Sequence, residues 1–375
     1  MSTSAFTQAK HGLYSALALA ERMVRPPLET TPSALHSLRN FLLLQYPSAL
    51  GTALHGTPVV AALRKAVPQA RIVVAADGFG MEVFRNNPGI DFVLETPNPN
   101  RDLLGALRVL RGRSLFEGEP YATLTTAGNE RTGIATLALL AGPSLRIGFT
   151  VAPQLYFHPL RKDASHSLIE NNLRTVQALG HTAPPTEPQI FASAADETRA
   201  EALLAESGLL DGSPLAVFVT QSSPTQRKGW RAERFAAVAR HVHERYNAHI
   251  LFVGTAQESD AIDAIRSQLG FASTSLAGRT EICVLAAILR HARIGITLDT
   301  GILHIGRAVG LPMVIIAPAW SPPVEWLPLG NPRYRILKNA DMPRATADYI
   351  IDEVSVEEVS AAADQLMELS IQTGF

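Results

Sequence analysis

The chain has a single cysteine, Cys283, among its 375 residues. This scarcity excludes disulfide bonds within the chain and the cysteine-rich sites that hold structural zinc. Cys283 lies in an apolar run with helical spacing, so we expect a buried structural thiol. Three histidines, His241, His243 and His249, lie close in sequence, but no carboxylate or cysteine joins them at ligand spacing. We interpret them as the surface and end of a helix, and we predict no metal site and no cofactor.

Long apolar runs and an excess of one charge are also missing. No apolar stretch approaches the ~18 residues that a transmembrane helix requires. The formal net charge of −1 argues against a nucleic-acid partner, because nucleic-acid-binding domains are usually basic. The stretch GLYSALALA has some features of a signal peptide, but Glu21, Arg22 and Arg25 follow where a cleavage region would be neutral. We predict instead an amphipathic helix over about residues 6–24, which packs on the body or lies on an anionic membrane surface.

Several signature loops of enzyme chemistry are absent as well. The chain contains no Gly-x-Gly-x-x-Gly fingerprint, no Walker A lysine loop and no Gly-x-Ser-x-Gly elbow. It also lacks an Asp-x-Asp pair, which a metal-dependent sugar transferase would usually have. These absences argue against dinucleotide-fingerprint, P-loop and serine-hydrolase chemistry, and against sugar transfer that depends on a metal ion.

What the sequence does contain is a regular alternation of short apolar strands with amphipathic helices. The alternation begins at Phe41–Leu44 and continues to Met313–Ala317. It predicts parallel sheets that helices cover on both faces. Because 375 residues are too many for one typical core, and because the proline-rich stretch Ala183–Pro188 interrupts the rhythm, we predict two Rossmann-like domains that face each other across a cleft.

The predicted α/β organisation divides the chain into four segments. Residues 1–37 form an N-terminal helical extension, and residues 38–185 form an N-terminal Rossmann-like domain. Residues 186–345 form a C-terminal Rossmann-like domain. Residues 346–375 contain a last helix, which the capping box Ser355-Val356-Glu357-Glu358 begins.

The stretch Ile294–Pro318 is typical of one strand–turn–helix–strand unit. A β-branched run ends in Asp299-Thr300-Gly301, and an apolar pattern with helical spacing follows. In open parallel sheets ligands bind at the carboxyl edge, where this turn lies. The helix that begins there favours an anion, and Gly301 lets the backbone approach it closely. The turn therefore predicts a phosphate site, although an ordinary crossover with Asp299 or Thr300 as N-cap fits the same residues.

Three further loops follow strands of the same domain. The first offers the hydroxyl of Ser222 and the ammonium of Lys228, which can pair with a diphosphate. The second offers Glu258, whose carboxylate can accept hydrogen bonds from ribose hydroxyls or can simply lie near a helix start. In the third, an N-capping Thr280 explains the residues present. Each loop is weak support by itself, and together they predict a nucleotide site.

Three segments give the chain a resemblance to a known family. Lys228-Gly229-Trp230-Arg231-Ala232-Glu233-Arg234-Phe235 resembles the Lys-x-Trp-x-x-Glu-x-Phe segment of the bacterial lipopolysaccharide heptosyltransferases. Leu298–His304 is similar to that family's Asp-Ser/Thr-Gly-x-x-His signature, and His166–Leu173 is similar to its His-x-x-x-x-Asn-Leu helix. The resemblance extends over about residues 38–318.

This resemblance implies the GT-B arrangement, with an acceptor domain followed by a domain that holds an activated sugar nucleotide, typically ADP-heptose. It also implies metal-free, inverting transfer of the sugar to an acceptor hydroxyl. Carried over by position, the donor-binding residues are Ser222, Lys228, Glu258, Asp299, Thr300, Gly301 and His304. Of these, Ser222 and Lys228 would contact the diphosphate, and Glu258 would hold the ribose. Thr300 and Gly301 would cradle a phosphate, and the other two would shape that turn.

One position departs from the family's pattern. Leu50–Lys65 resembles the family's first loop and helix, but the family's Leu-Gly-Asp, whose aspartate is the general base, is here Leu50-Gly51-Thr52. A threonine hydroxyl cannot accept a proton at neutral pH, so that role does not carry over. His55 lies about one helical turn further on and can face the same cleft as a catalytic base, or it can merely line its helix.

Residues and resemblance together predict a cytoplasmic glycosyltransferase of heptosyltransferase type, which can be peripheral to the inner membrane. The expected partners are a nucleoside-diphosphate sugar, with ADP-heptose favoured, and a lipopolysaccharide-type glycan or lipid-linked acceptor. Two alternatives stay open. One is a non-catalytic nucleotide-sugar binding protein on the same scaffold, which Thr52 suggests. The other is a GT-B transferase for a different sugar.

Overall fold

The computed structural model describes residues 3–24, 31–221, 228–338, 341–342, 344–346 and 348–373. The chain divides into two compact units, unit 1 (Met1–Pro188) and unit 2 (Gln189–Phe375). The boundary predicted at residue 185 lies three residues before this division.

Unit 1 contains a parallel sheet of six strands. The strands are β1 (Asn40–Gln45), β2 (Arg71–Ala76), β3 (Phe92–Glu95), β4 (Ala122–Thr125), β5 (Leu145–Phe149) and β6 (His158–Leu160). The α-helices are α1 (Thr3–Val24), α2 (Pro32–Ser37), α3 (Leu50–Leu54), α4 (Thr57–Ala66), α5 (Phe79–Phe84), α6 (Leu103–Arg111), α7 (Thr132–Leu140) and α8 (Leu168–Gln177). The strand order is β3-β2-β1-β4-β5-β6, with every neighbouring pair parallel. The order therefore reverses between β1 and β4.

Unit 2 contains a second parallel sheet of six strands. The strands are β7 (Leu215–Val219), β8 (His249–Phe252), β9 (Thr274–Ser275), β10 (Ile294–Leu298), β11 (Met313–Ile316) and β12 (Tyr334–Leu337). The α-helices are α9 (Ala194–Glu206), α10 (Ala232–Tyr246), α11 (Ser259–Arg266), α12 (Ile282–Arg290), α13 (Gly301–Ala308), α14 (Pro323–Trp326) and α15 (Val356–Thr373). The order β9-β8-β7-β10-β11-β12 repeats that of unit 1. Here the reversal lies between β7 and β10.

The central strands explain why each sheet is covered on both faces. Every residue of β4, β5, β7 and β10 is buried. Parallel strands that helices cover on both sides require such continuous apolar sequences, whereas a half-exposed strand would alternate. Each unit builds its own apolar core around its sheet. The predicted fold class, two Rossmann-like α/β domains with parallel sheets, is confirmed.

The N-terminal helix α1 packs on unit 1 through one face. Tyr14 and Ala18 are buried in the apolar core. The guanidinium of Arg146 donates to both carboxylate oxygens of Glu21, at 2.6 Å and 2.5 Å. Packing on the body, one of the two placements expected for this helix, is therefore what the structure shows. None of the described helices is both long enough and apolar enough to cross a lipid bilayer.

The C-terminal helix α15 packs within unit 2, on α10 and against strands β10, β11 and β12. The capping box expected at its start is formed. Ser355 Oγ accepts the N–H of Glu358 at 3.2 Å, and Glu358 Oε2 accepts the N–H of Ser355 at 2.8 Å.

Candidate functional site

The predicted site residues lie on loops that follow strands of unit 2. Lys228 lies beyond β7, Glu258 lies beyond β8, and Asp299–Gly301 joins β10 to α13. Because the strands are parallel, these loops emerge at the same edge of the sheet. The loops after β7 and β10 lie where the strand order reverses, which is where open α/β sheets bind ligands. Ser222 lies outside the described residues.

Lys228 and Asp299 form a buried ion pair at this position. The Lys228 Nζ lies 2.7 Å from Asp299 Oδ2 and 3.2 Å from the carbonyl oxygen of the same residue. The two side chains are only 12% and 3% exposed. Ser321 Oγ donates to the same carboxylate oxygen at 3.5 Å, and the Trp320 ring centre lies 5.6 Å from Nζ. These contacts hold the ammonium in one place beside the N-terminus of α13.

The start of α13 carries a buried hydroxyl that has no partner among the described residues. Thr300 is its N-cap residue, with an extended backbone at φ −135° and ψ 177°, yet its side chain makes no capping hydrogen bond. The buried Thr300 Oγ1 has no hydrogen-bond partner among the described residues. An unsatisfied buried polar group costs about 1–3 kcal/mol. In an ordinary crossover, a threonine at this position would accept a capping hydrogen bond from a backbone N–H of the helix. The free hydroxyl and the first N–H groups of α13 would instead suit a phosphate.

His304 lies about one turn into α13 and is buried. Its pKa is lowered from 6.5 to about 3, mainly by burial and also by the positive charges of Arg307 and Lys228, while the charge of Asp299 opposes this shift. The imidazole is therefore neutral at working pH. Its ring centre lies 5.9 Å from that of Trp326. A neutral, packed side chain suits the predicted role of shaping the turn and does not suit acid or base chemistry.

Glu258 takes part in the capping of its own helix. Its Oε2 accepts the N–H of Thr255 at 2.7 Å, which completes a capping box at the short helix Ala256–Glu258. This contact matches the simpler interpretation of the residue and occupies one of its two oxygens. Helix α12 begins differently from the prediction. The N-cap of α12 is Glu281, not Thr280, and it makes no side-chain capping bond.

The loop that carries Lys228 is braced by the segment before α15. The N–H of Ile351 donates to the carbonyl oxygen of Gly229 at 2.9 Å. Trp230 Nε1 donates to the carbonyl oxygen of Val354, also at 2.9 Å, across 124 positions of sequence. The sequence reasoning missed this brace because no local pattern in residues 349–354 predicts so distant a partner.

In unit 1, Thr52 and His55 lie in and at the end of α3, beyond β1. Thr52 is 9% exposed, and its methyl group packs against Gly128. His55 is 1% exposed and forms the C-cap of its helix. A general base must come within hydrogen-bonding distance of the proton that it removes. The burial of His55 therefore favours a histidine that lines its helix over one that faces substrate.

The fold and the site together describe a two-domain α/β protein. Both units are Rossmann-like, and a candidate anion site lies at the switch point of the second. Residues 132–347 match the sequence profile of glycosyltransferase family 9 (heptosyltransferase). This match covers more than half of the chain. The chain belongs to this family, and the resemblance drawn from its motifs is confirmed.

Two characterised relatives carry lipopolysaccharide names. The chain is 24% identical over 347 residues to lipopolysaccharide heptosyltransferase 3 of Escherichia coli, which spans 84% of this chain and 96% of that protein. It is 25% identical over 124 residues to lipopolysaccharide core heptosyltransferase OpsX of Haemophilus influenzae. That second match spans 32% of this chain and only 35% of the relative's length.

Solved structures show the same fold at low sequence identity. A family 9 glycosyl transferase from Veillonella parvula has a TM-score of 0.78 at 20% identity, over 88% of this chain and 97% of that one. The ADP-heptose lipopolysaccharide heptosyltransferase II of E. coli has a TM-score of 0.70 at 17% identity, over 88% and 99%. The E. coli heptosyltransferase WaaC with ADP-2-deoxy-2-fluoro heptose has a TM-score of 0.62 at 16% identity, over 87% and 99%. The two parallel six-stranded α/β sheets of this chain are like those of the GT-B heptosyltransferases.

Proposed function

We propose that the chain transfers a sugar from a nucleoside-diphosphate sugar to an acceptor hydroxyl, with ADP-heptose as the favoured donor. One observation carries the proposal: the Lys228–Asp299 ion pair lies at the N-terminus of α13 beside the Thr300 hydroxyl, which has no partner among the described residues. A fixed cation, a helix N-terminus and an unsatisfied hydroxyl together are what a diphosphate requires. Family membership supports the same donor, because WaaC has been solved with ADP and with an ADP-heptose analogue.

The proposed reaction is an inverting displacement. The acceptor oxygen attacks the anomeric carbon from the side opposite the diphosphate, and the bond from that carbon to the diphosphate oxygen breaks. Negative charge then grows on the departing diphosphate, where Lys228 and the N–H groups of α13 stabilise it. Because this stabilisation is stronger in the transition state than in the bound donor, it raises the rate. Ser222 would join Lys228 on the diphosphate, and the remaining oxygen of Glu258 would bind the ribose.

The acceptor is proposed to bind unit 1. A cavity of about 490 Å³ lies among the loops that follow β1, β2 and β3 and the residue before α7. Ser48 and Asn100 line it with hydrogen-bonding groups, and its charged side chains are the cations Arg101 and Arg131 and the carboxylates Asp77 and Glu82. Convergent polar groups in a concave site fix the orientation of a ligand. This mixed polar lining suits the hydroxyl groups of a glycan, such as a lipopolysaccharide-type acceptor.

Helix α1 adds a proposed contact with an anionic membrane surface, where a lipid-linked acceptor would be found. Leu13, Leu19 and Met23 are 59%, 63% and 82% exposed, away from the side that packs on the core. The charge of Glu21 is neutralised by Arg146. The other charged residues among residues 1–27 are all basic: Lys10, Arg22 and Arg25. An exposed apolar face with neighbouring positive charge is typical of interfacial helices.

Vesicle flotation tests this contact. The full chain should float with vesicles that contain anionic phospholipid, and a much smaller fraction of it should float with purely zwitterionic vesicles. A variant with Leu19→Ser and Met23→Ser should lose flotation without losing stability, because both side chains are exposed. Equal flotation of the variant and the wild type would refute the contact.

Isothermal titration calorimetry with ADP, UDP, GDP and their sugars tests the donor site. Lys228→Ala should weaken the binding of a nucleoside diphosphate by roughly tenfold to a hundredfold, because a charge-assisted contact is lost. That variant leaves the Asp299 carboxylate buried without its cation. The double variant Lys228→Met with Asp299→Asn avoids this cost and should bind equally weakly. Lys65→Ala, on the surface of unit 1, is the control. Unchanged affinity in both site variants would overturn the donor site.

The alternative of a binding protein without turnover rests on Thr52, which stands where the family has its base. Both functions predict donor binding, so affinity cannot separate them. Release of nucleoside diphosphate in the presence of a glycan acceptor does separate them, since only a transferase produces it. A panel of donor sugars then distinguishes heptose transfer from the transfer of a different sugar.

A further inference from the structure

The loops that follow β1 and β4 in unit 1 are tied into one hydrogen-bonded assembly. Asn129 Oδ1 accepts the N–H of Tyr46 at 2.6 Å. Gln45 Nε2 donates to Thr126 Oγ1 at 3.0 Å. Because β1 and β4 are the strands between which the order reverses, this assembly occupies the switch point of unit 1.

Gly128 brings the loop after β4 directly against Thr52. Its φ of +91° is one that residues with a side chain rarely adopt. A Cβ at this position would lie 2.1 Å from the Thr52 methyl carbon, so only glycine fits. The backbone after β4 is therefore in contact with the side chain that stands at the family's base position.

A carboxylate is linked to this contact through the backbone of Gly128. Glu130 Oε2 accepts the N–H of Gly128 at 2.7 Å. The residue is half-buried, and across the part of the chain that the structure describes no cation forms an ion pair with it. The next residue, Arg131, lines the polar cavity of unit 1. Glu130 thus holds an ionisable oxygen on the backbone segment that contacts Thr52, and it directly precedes a residue that lines the proposed acceptor cavity.

We infer that Glu130 is the general base of the transfer, in place of the aspartate that the family has at the position of Thr52. The inference rests on the proposed function. The Glu130 carboxylate takes the proton of the acceptor hydroxyl as that oxygen forms a bond to the anomeric carbon. The bond to the diphosphate breaks, and the nucleoside diphosphate leaves with its electron pair. The proton on Glu130 afterwards passes to water.

Other candidates in unit 1 are less well placed. His55 is almost completely buried. Asp77 and Glu82 line the cavity, but they follow β2, one strand away from the switch point. Glu130 is the carboxylate that accepts the backbone N–H of Gly128, the residue that packs against Thr52.

Glu130→Gln separates basicity from loop structure. The amide keeps an oxygen that can accept the Gly128 N–H, but it cannot take up a proton at neutral pH. The turnover number should fall by about 10²–10⁴, as expected for loss of a general base. Donor affinity by calorimetry and the thermal midpoint should match the wild type. The decline of kcat/KM toward acid pH should disappear in the slow variant. Glu119→Gln, an exposed glutamate of the same unit, should behave as wild type.

Rescue provides the second test. Thr52→Asp in the Glu130→Gln background places a carboxylate on the other side of the Gly128 contact, and it should restore the rate at least tenfold. An unchanged rate in Glu130→Gln would overturn the inference while leaving the proposed function intact, since the wild type would still turn over. A fall in rate accompanied by equal losses of donor affinity or stability would also overturn it, because Glu130 would then be structural. Absence of turnover in wild type and Thr52→Asp, with every donor and acceptor, would instead overturn the proposed function.

Discussion

The two units share one strand order, but the loops at their switch points carry different charges. In unit 2 the ammonium of Lys228 is held against Asp299 at the start of α13. In unit 1 the carboxylate of Glu130 is held by a backbone N–H, without a cation among the described residues. A fixed cation suits the negative charge of a leaving diphosphate, whereas an unpaired carboxylate suits a proton. The strand order decides where loops meet, and the loop residues decide what chemistry occurs there.

Among the described residues, each unit also has a buried ion pair, and the two pairs are expected to serve different purposes. The Glu21–Arg146 pair of unit 1 ties α1 to the sheet, and its side chains are 13% and 2% exposed. The Lys228–Asp299 pair of unit 2 lies at the candidate site. One pair is expected to act on stability, and the other is expected to act on binding. Three measurements can break or sharpen the comparison of the two units.

The largest effect is expected from Glu21→Ala. This change leaves the Arg146 guanidinium buried without its carboxylate, which should lower the free energy of unfolding by about 3–5 kcal/mol. Urea denaturation followed by circular dichroism measures it. Glu206→Ala breaks an exposed pair with Arg279 and should cost under about 1 kcal/mol. Equal losses in the two variants would show that burial does not set the strength of the unit 1 pair.

A smaller, pH-dependent effect is expected from His304. Its pKa is about 3 in the folded chain against 6.5 for an ordinary histidine, so between these values the unfolded chain binds a proton that the folded chain does not. The free energy of unfolding should therefore decrease as the pH is lowered, by about 2 kcal/mol for this group between about pH 8 and about pH 5. All three tryptophans, Trp230, Trp320 and Trp326, belong to unit 2, so their fluorescence reports its unfolding.

His304→Gln and His304→Asn should both reduce this pH dependence, because neither amide titrates. The quantity compared is the slope of the free energy of unfolding against pH, so the variants need not be equally stable at neutral pH. If both variants had the same slope as the wild type, the imidazole of His304 would not be held neutral by burial.

The smallest effect is expected from Thr300→Val, which should weaken donor binding without weakening the fold. Removing a buried hydroxyl that has no partner in the described part of the chain should leave the free energy of unfolding unchanged or raise it by up to about 1 kcal/mol. Donor affinity should fall by about threefold to tenfold, the equivalent of one neutral hydrogen bond. Thr52→Val is the matched change at the switch point of unit 1 and should leave donor affinity unaltered. Thermal unfolding and calorimetry together provide both values, and a loss of stability in Thr300→Val would contradict the missing bond.

Several strands could be predicted from the sequence because their apolar runs are local. Phe41–Leu44 was expected, and β1 extends over Asn40–Gln45. Strand β5 was not predicted, since Arg146 and Gly148 interrupt its apolar run. The arginine is tolerated in a buried strand because Glu21, 125 positions away, neutralises it. No window of neighbouring residues contains that information.

The sequence by itself determined the two α/β halves and the loops that carry the family's donor motif, because hydrophobic period and motif spacing depend on neighbouring residues. Only the tertiary structure decided which loops meet. It placed Lys228 on Asp299, 71 positions away, and it left the Thr300 hydroxyl buried without a described partner. It also set Gly128, held by Glu130, against Thr52. Such contacts follow from the order of strands in a sheet, which joins residues far apart in the chain and which no local pattern of side chains specifies.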